Sequence, residues 1–273
     1  MGKLDGKVAL ITGGARGQGR SHALTLAREG ADIVICDIAS QIETVPYHMA
    51  TEDQLTETVR LVEDLDRRCV AVKADVSDEQ AMQGVVDRAV SEFGKVDILV
   101  ANAGIASFGS AWELTRQQWD EMLRVNLTGV WESCKAVIPH MIQRRAGRII
   151  CTSSMAGLKG IAGAAHYVSA KHGVIGLVRT LAIELAPYDI RVNAVCPTNV
   201  QTPMIDNEAT FRLFDPEHGS REGALAAMRQ FNLLDTPWIQ SQDVSNAVLF
   251  LASDDAAWLT GVALPVDAGW NTK

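Results

Sequence analysis

Long apolar runs, paired cysteines and an excess of positive charge are all missing from this 273-residue chain. No stretch approaches the roughly 20 apolar residues needed to cross a bilayer. The opening MGKLDGKVALITGG runs directly into a strand pattern, without the apolar core of a secretory signal. The expectation is a cytoplasmic protein with no membrane contact. Acidic residues outnumber basic ones by 33 to 25, giving a net charge of -8. A protein that grips a phosphate backbone needs a basic face, so a nucleic-acid partner is not expected. The five cysteines (Cys36, Cys69, Cys134, Cys151 and Cys196) are scattered, odd in number and never spaced CxxC. Neither a metal site nor a disulfide framework is indicated, and they read as small buried hydrophobes in a reducing compartment. Repeats, low-complexity tracts and linkers are absent too, so 1–273 reads as a single domain.

What is present is a rhythm. Short apolar runs at 7–11, 31–36, 69–73, 96–101, 148–152, 191–196 and 262–266 read as buried strands. Between them, 20–29, 77–93, 119–141 and 166–185 carry helical spacing, the third entered through a turn at 115–119. Strands alternating with helices imply βαβ units with right-handed crossovers. The fold class is α/β, a doubly wound parallel sheet of about seven strands with helices on both faces. Two stretches interrupt the rhythm. An insertion at 38–68 holds a polar loop and then the helix-like LTETVRLVEDL. The stretch 198–238 contains Pro203, Pro216 and Pro237 with helical runs between them. Each reads plainly as a surface excursion. Long loops beside the carboxyl end of a strand also serve as lids, and 198–238 is expected to be a substrate-binding lid.

Thr12 to Gly19 (TGGARGQG) lies between the first strand and its helix. Gly13, Gly17 and Gly19 permit a tight turn, and the amides around Arg16 and Gln18 can approach a pyrophosphate at the helix N-terminus. Asp37 ends the second strand. A carboxylate there accepts hydrogen bonds from both ribose hydroxyls and repels a 2′-phosphate, which points to NAD rather than NADP. A bare strand-turn-helix connection and a solvated strand end are the plainer readings of these two features. Further on stand Ser154, Tyr167 and Lys171. Tyr167 and Lys171, four apart, share one helix face. A phenol of ordinary pKa near 10 is a poor base at neutral pH, but a neighbouring ammonium favours the phenolate. It could then take the proton of a substrate hydroxyl whose oxygen Ser154 holds. Taken alone, such a Tyr–Lys pair is commonly just an exposed pair.

Several ordered motifs make the sequence similar to the short-chain dehydrogenase/reductase family from Lys7 to Trp270. They are Thr12–Gly19, Asp75-Val76, Ala101-Asn102-Ala103-Gly104, Asn126 in RVNLTG, Ser154 in TSSMAG, and Tyr167 with Lys171. The resemblance implies a Rossmann-type fold and a nicotinamide-dependent alcohol oxidoreductase. Its catalytic set would be Ser154, Tyr167, Lys171 and Asn126, the last holding a water that links Lys171 to solvent through a helix kink. Asp75 and Val76 would take the adenine, and Asn102, Ala103 and Gly104 would pass the ribose. Lys171 would grip the nicotinamide ribose, while Pro197, Val200 and Thr202 would meet the carboxamide and phosphates. Two positions depart from the pattern: Ala101 replaces an asparagine, and Thr198 a glycine.

The insertion after Asp37 is similar to that of the carveol-dehydrogenase-like, mycofactocin-associated branch. That branch implies a terpenoid or other apolar cyclic alcohol or ketone as substrate, NAD that does not exchange and mycofactocin as electron acceptor; the wider family resemblance implies a homotetramer. Met155, His166, Met204 and Trp238 are candidates for an apolar pocket. Three other readings stay open: an NAD-binding sensor without turnover, a general 3-oxoacyl-type reductase, and an epimerase, whose usual added substrate domain is not evident.

Overall fold

The computed structural model describes residues 2–273. Its seven strands are β1 (Val8–Thr12), β2 (Asp32–Asp37), β3 (Cys69–Lys73), β4 (Ile98–Ala101), β5 (Gly147–Thr152), β6 (Ile190–Pro197) and β7 (Ala263–Val266). They form one parallel sheet in the order β3-β2-β1-β4-β5-β6-β7. Successive strand side chains point to opposite faces, and here both faces are covered. Leu10, Val34, Leu99, Ile149 and Val192 join a core with α3 (Glu79–Phe93), α5 (Gly129–Arg144) and α6 (Ala165–Leu185). Ala9, Ile11, Ile33, Ile35, Val100 and Val195 join another with α1 (Gly17–Arg28), α2 (Glu52–Glu63) and α9 (Ser241–Ala252). Burial on both faces is why these strands read as unbroken apolar runs rather than alternating ones. The result is the doubly wound parallel sheet that the rhythm implies and the Rossmann-type fold that the family resemblance implies.

The chain departs from expectation in two places. The helix expected over 119–141 runs from Arg116 to Arg144 and is not one spiral. α4 (Arg116–Leu123) is capped by Thr115, whose side chain accepts from the Gln118 amide. A π-helical turn (Arg124–Thr128) then separates it from α5. Helix α9, for which no expectation was drawn, packs on α1. Its Ser245 Oγ is 2.8 Å from Nδ1 of the fully buried His22, and Gln242 donates to Thr25.

Strand order reverses between β1 and β4, and that switch point opens a crevice at the carboxyl ends of the strands. Thr12 fastens its two lips together. Its hydroxyl accepts from the amides of Asn102 and Ala103, both at 3.0 Å, and its carbonyl accepts from Asn102 Nδ2. Residues 38–50 fold over one end of this crevice. Residues 198–238 fold over the other, with α7 (Glu208–Phe214) and α8 (Arg221–Phe231). No helix among the described residues is long and apolar enough to cross a membrane, and the five cysteines are free.

Candidate active site

The crevice divides into two adjoining clefts. Gly13, Arg16, Gly17, Gln18, Gly19, Asp37, Asp75, Val76, Asn102, Ala103, Gly104 and Thr202 line the first. Its glycines are required by space as well as by backbone. Gly13 has φ +68°, and a Cβ there would stand 2.9 Å from the Ala103 Cα. A Cβ on Gly19 would lie 2.0 Å from the Gly13 carbonyl oxygen. Asp37 is buried at the end of β2, where its two oxygens accept from the Ala15 and Ala39 amides at 3.2 and 3.1 Å. A tight, small-residue turn opening a helix, with a fixed carboxylate beside it, fits a dinucleotide whose ribose carries no 2′-phosphate. Burial works against ionisation of Asp75, but its carboxylate accepts from the Ser77 hydroxyl and amide and then from Arg124, and these together hold it below the ordinary carboxylate range.

Ser154, Tyr167, Lys171, Pro197, Val200 and Thr202 line the second cleft, which Gln18, Asn102 and Gly104 share with the first. Lys171 is 3% exposed, and its Nζ donates to the Thr152 carbonyl at 2.8 Å while standing 5.6 Å from the centroid of the Tyr167 ring. Burial lowers the amine to about 8. Burial raises the Tyr167 phenol, the Ser154 hydroxyl offsets part of that, and the amine contributes no resolved lowering. With its proton donor aimed at Thr152, Lys171 is one step removed from the phenolic oxygen. Of the two adjacent serines, Ser153 is taken up by the Lys171 carbonyl, at 2.9 Å, while Ser154 caps the short turn at 155–157 and borders the cleft.

Asn126 sits in the π-helical turn and is fully buried. Its side chain clamps both sides of the Ile105 peptide at 2.8 Å, and Nδ2 also meets the Met122 sulfur. A Cβ on Gly104 would be 3.0 Å from Asn126 Oδ1 and 3.7 Å from Lys171 Nζ, so glycine leaves the three free to converge. The side chain is spent on Ile105, so a water would have to meet this residue at its main chain.

Thr198 meets its departure from the family pattern without glycine. Its amide donates to Val266, and its hydroxyl donates to Asn232 Oδ1 at 3.2 Å. Among the apolar candidates only Met204 borders a cleft. Met155 is core, His166 is buried against Ser107, and Trp238 packs with Met228 and beneath the Arg221 guanidinium. The apolar wall is instead Phe108, Ile161, Leu213, Phe214 and Trp270. Sequence reasoning also missed Tyr47. This half-buried side chain, reaching in from 38–50, borders the first cleft and accepts from the Ala106 amide at 3.2 Å. The only sign of it was a lone aromatic in a polar loop.

The short chain dehydrogenase family model matches residues 7–212. A (-)-trans-carveol dehydrogenase of Rhodococcus erythropolis is 50% identical, with 100% of each chain covered. The crystal structure of carveol dehydrogenase from Mycobacterium avium in complex with NAD superposes with a TM-score of 0.98 at 48% identity, covering 100% of both chains. A short chain dehydrogenase from Mycobacterium paratuberculosis bound to NAD gives 0.92 at 39% identity, again over 100% of both.

Proposed function

The chain belongs to the short-chain dehydrogenase family, and from that premise we propose that it is an NAD-dependent oxidoreductase acting on an apolar cyclic secondary alcohol or its ketone. The observation that carries this reading is the convergence of Ser154, Tyr167 and Lys171 on one cavity with an apolar wall, adjoining the cleft lined by the glycine turn and Asp37. NAD, when bound, supplies the hydride-exchanging ring and, when oxidised, a positive charge beside the phenol. Ser154 orients the substrate oxygen through its hydroxyl. Tyr167 exchanges a proton with that oxygen. Its raised pKa keeps the phenol protonated at neutral pH, which suits delivery of a proton to a ketone. In the alcohol-oxidising direction Tyr167 must first lose that proton. Lys171, at about 8, is poised to pass it on. Asn126 would hold the relay water at its main chain, the wide turn having displaced the regular backbone pairing. Gly13, Arg16, Gly17, Gln18 and Gly19 would cradle the pyrophosphate and Asp37 the ribose. Asp75 and Val76 would hold the adenine, and Asn102, Ala103 and Gly104 would pass the adenosine ribose. Lys171 would grip the other ribose, and Pro197, Val200 and Thr202 the carboxamide and phosphates.

The finer reading follows the carveol-dehydrogenase-like branch. Residues 38–50 act as a strap over the adenosine half, tied down by Arg16 donating to the His48 carbonyl and by Tyr47. NAD held under it would stay bound through turnover, with mycofactocin as electron acceptor. Residues 198–238 act as the lid over a terpenoid-like ring. Trp258, Trp112 and Ile183, at 98%, 86% and 78% exposure, suit burial in a homotetramer. The free thiols suit a cytoplasmic location.

The test is single-turnover oxidation of a panel of cyclic alcohols by wild type and Tyr167→Phe, with NAD binding measured alongside. A loss of 10²-fold or more with binding retained is expected. Equal, near-zero rates in both proteins would favour a dinucleotide sensor.

A further inference from the structure

Two amide side chains in the cleft make no hydrogen bond to any described residue, and each leaves one buried polar atom unpaired: Oε1 of Gln18 and Nδ2 of Asn199. Both residues border the cavity that holds Tyr167 and Lys171, and Gln18 borders the adenosine-side cleft as well. Other buried amides are used. Asn126 grips Ile105, Asn193 is bonded to Leu259 and Val262, and Asn232 to Thr198 and Thr236. The remaining unpaired atoms belong to His22, His166 and Arg191, which border neither cleft and already bond through other nitrogens. A buried polar group left unpaired is expensive, so these two amides are explained by a ligand.

One of the unpaired atoms needs a donor and the other an acceptor. They border the cavity from different segments, Gln18 from the glycine-rich turn and Asn199 from just beyond the end of β6. The backbone behind Asn199 is rigid, its carbonyl accepting from the Ile239 amide at 2.9 Å. Neither amide is tied to the protein, so each can turn about its last torsion to meet a partner. A small planar group presenting both an N–H and a carbonyl oxygen is a carboxamide. We propose that Gln18 and Asn199 together grip the carboxamide of the nicotinamide, Gln18 accepting from its N–H and Asn199 donating to its carbonyl oxygen. This rests on the NAD reading and adds a side-chain pair to the contacts assigned to Pro197, Val200 and Thr202. The pair would fix the rotation of the ring and therefore the ring face turned toward Tyr167, making both of them positioning residues.

Nucleotide-free wild type, Gln18→Leu and Asn199→Leu would be titrated by calorimetry with three compounds. These are NAD, 3-acetylpyridine adenine dinucleotide (which keeps the carbonyl but lacks the N–H), and ADP-ribose (which lacks the ring). Wild type should prefer NAD over the acetyl analogue by about tenfold. Gln18→Leu should lose that preference and Asn199→Leu should weaken both dinucleotides by about tenfold, while ADP-ribose should bind all three proteins alike, because Gln18 meets the pyrophosphate through its main-chain amide, which the substitution keeps. Retention of the preference in Gln18→Leu, undiminished NAD binding by Asn199→Leu, or an equal loss of ADP-ribose would overturn the assignment. If a variant fails to fold, wild type alone decides, because equal affinity for NAD and the acetyl analogue is incompatible with the pair. Failure of wild type to bind NAD or ADP-ribose at all would instead remove the NAD reading itself.

Discussion

Asp37 offers the sharpest handle on cofactor choice. It is 9% exposed, and its oxygens already hold the Ala15 and Ala39 amides, so it cannot swing away from a ligand. A 2′-phosphate placed about 4 Å from this carboxylate would meet a repulsion of about 4 kcal/mol per unit charge at an effective dielectric of 20, and about half that in a cleft open to salt. Asp37→Asn removes the charge while keeping the shape. NADP should therefore gain about 2 kcal/mol, or about 30-fold, helped by the Arg16 guanidinium in the same cleft. NAD should lose about 1 kcal/mol as a charge-assisted ribose bond becomes a neutral one. The ratio of the two dissociation constants should thus move by about a hundredfold. Folding should suffer modestly, by about 1 kcal/mol, because one of the two amides now faces an NH₂ group. Fluorescence titration of both nucleotides at fixed ionic strength measures the ratio. An unchanged ratio, or a loss of both nucleotides together, would refute the electrostatic argument.

Tyr47→Phe should leave the Ala106 amide without its acceptor and speed NAD release several-fold, read as displacement of bound nucleotide by excess ligand; an unchanged release rate would dismiss the strap. Lys171 predicts a pH effect on stability. Below about 8 its amine is charged in both folded and unfolded chains, and the burial penalty is felt in full. Between about 8 and the ordinary 10.5 the folded chain sheds the proton first. Stability should then rise with pH by up to about 3 kcal/mol. Urea unfolding at several pH values, taken as wild type minus Lys171→Met, isolates this contribution, and a flat difference would contradict it.

The sheet was readable because its five inner strands are apolar and buried on both faces, and the glycine turn because its spacing has few other uses. β3 was located to the residue, at Cys69–Lys73. The failures share a cause: they depend on contacts between distant segments. The family resemblance implied a kink at Asn126, but nothing local in RVNLT gives its form, an extra residue in the turn where Asn126 reaches Ile105. Tyr47 and Trp270 lie far along the chain from the glycine turn and from Tyr167, and only folding brings them to the clefts. The motif spacing placed Tyr167 and Lys171 on one face, but it could not reveal that Thr152 claims the amine or that burial outweighs the Ser154 hydrogen bond at the phenol.

The widened turn at Arg124–Thr128 also acts as a phase shifter. In a regular spiral each residue advances the chain by about 100°, so one surplus residue re-times everything downstream. It lets Val125 border the first cleft and Asn126 reach Ile105 while Cys134, Val137 and Met141 of α5 keep their places beneath the sheet. A chain lacking that residue would have to surrender one alignment or the other.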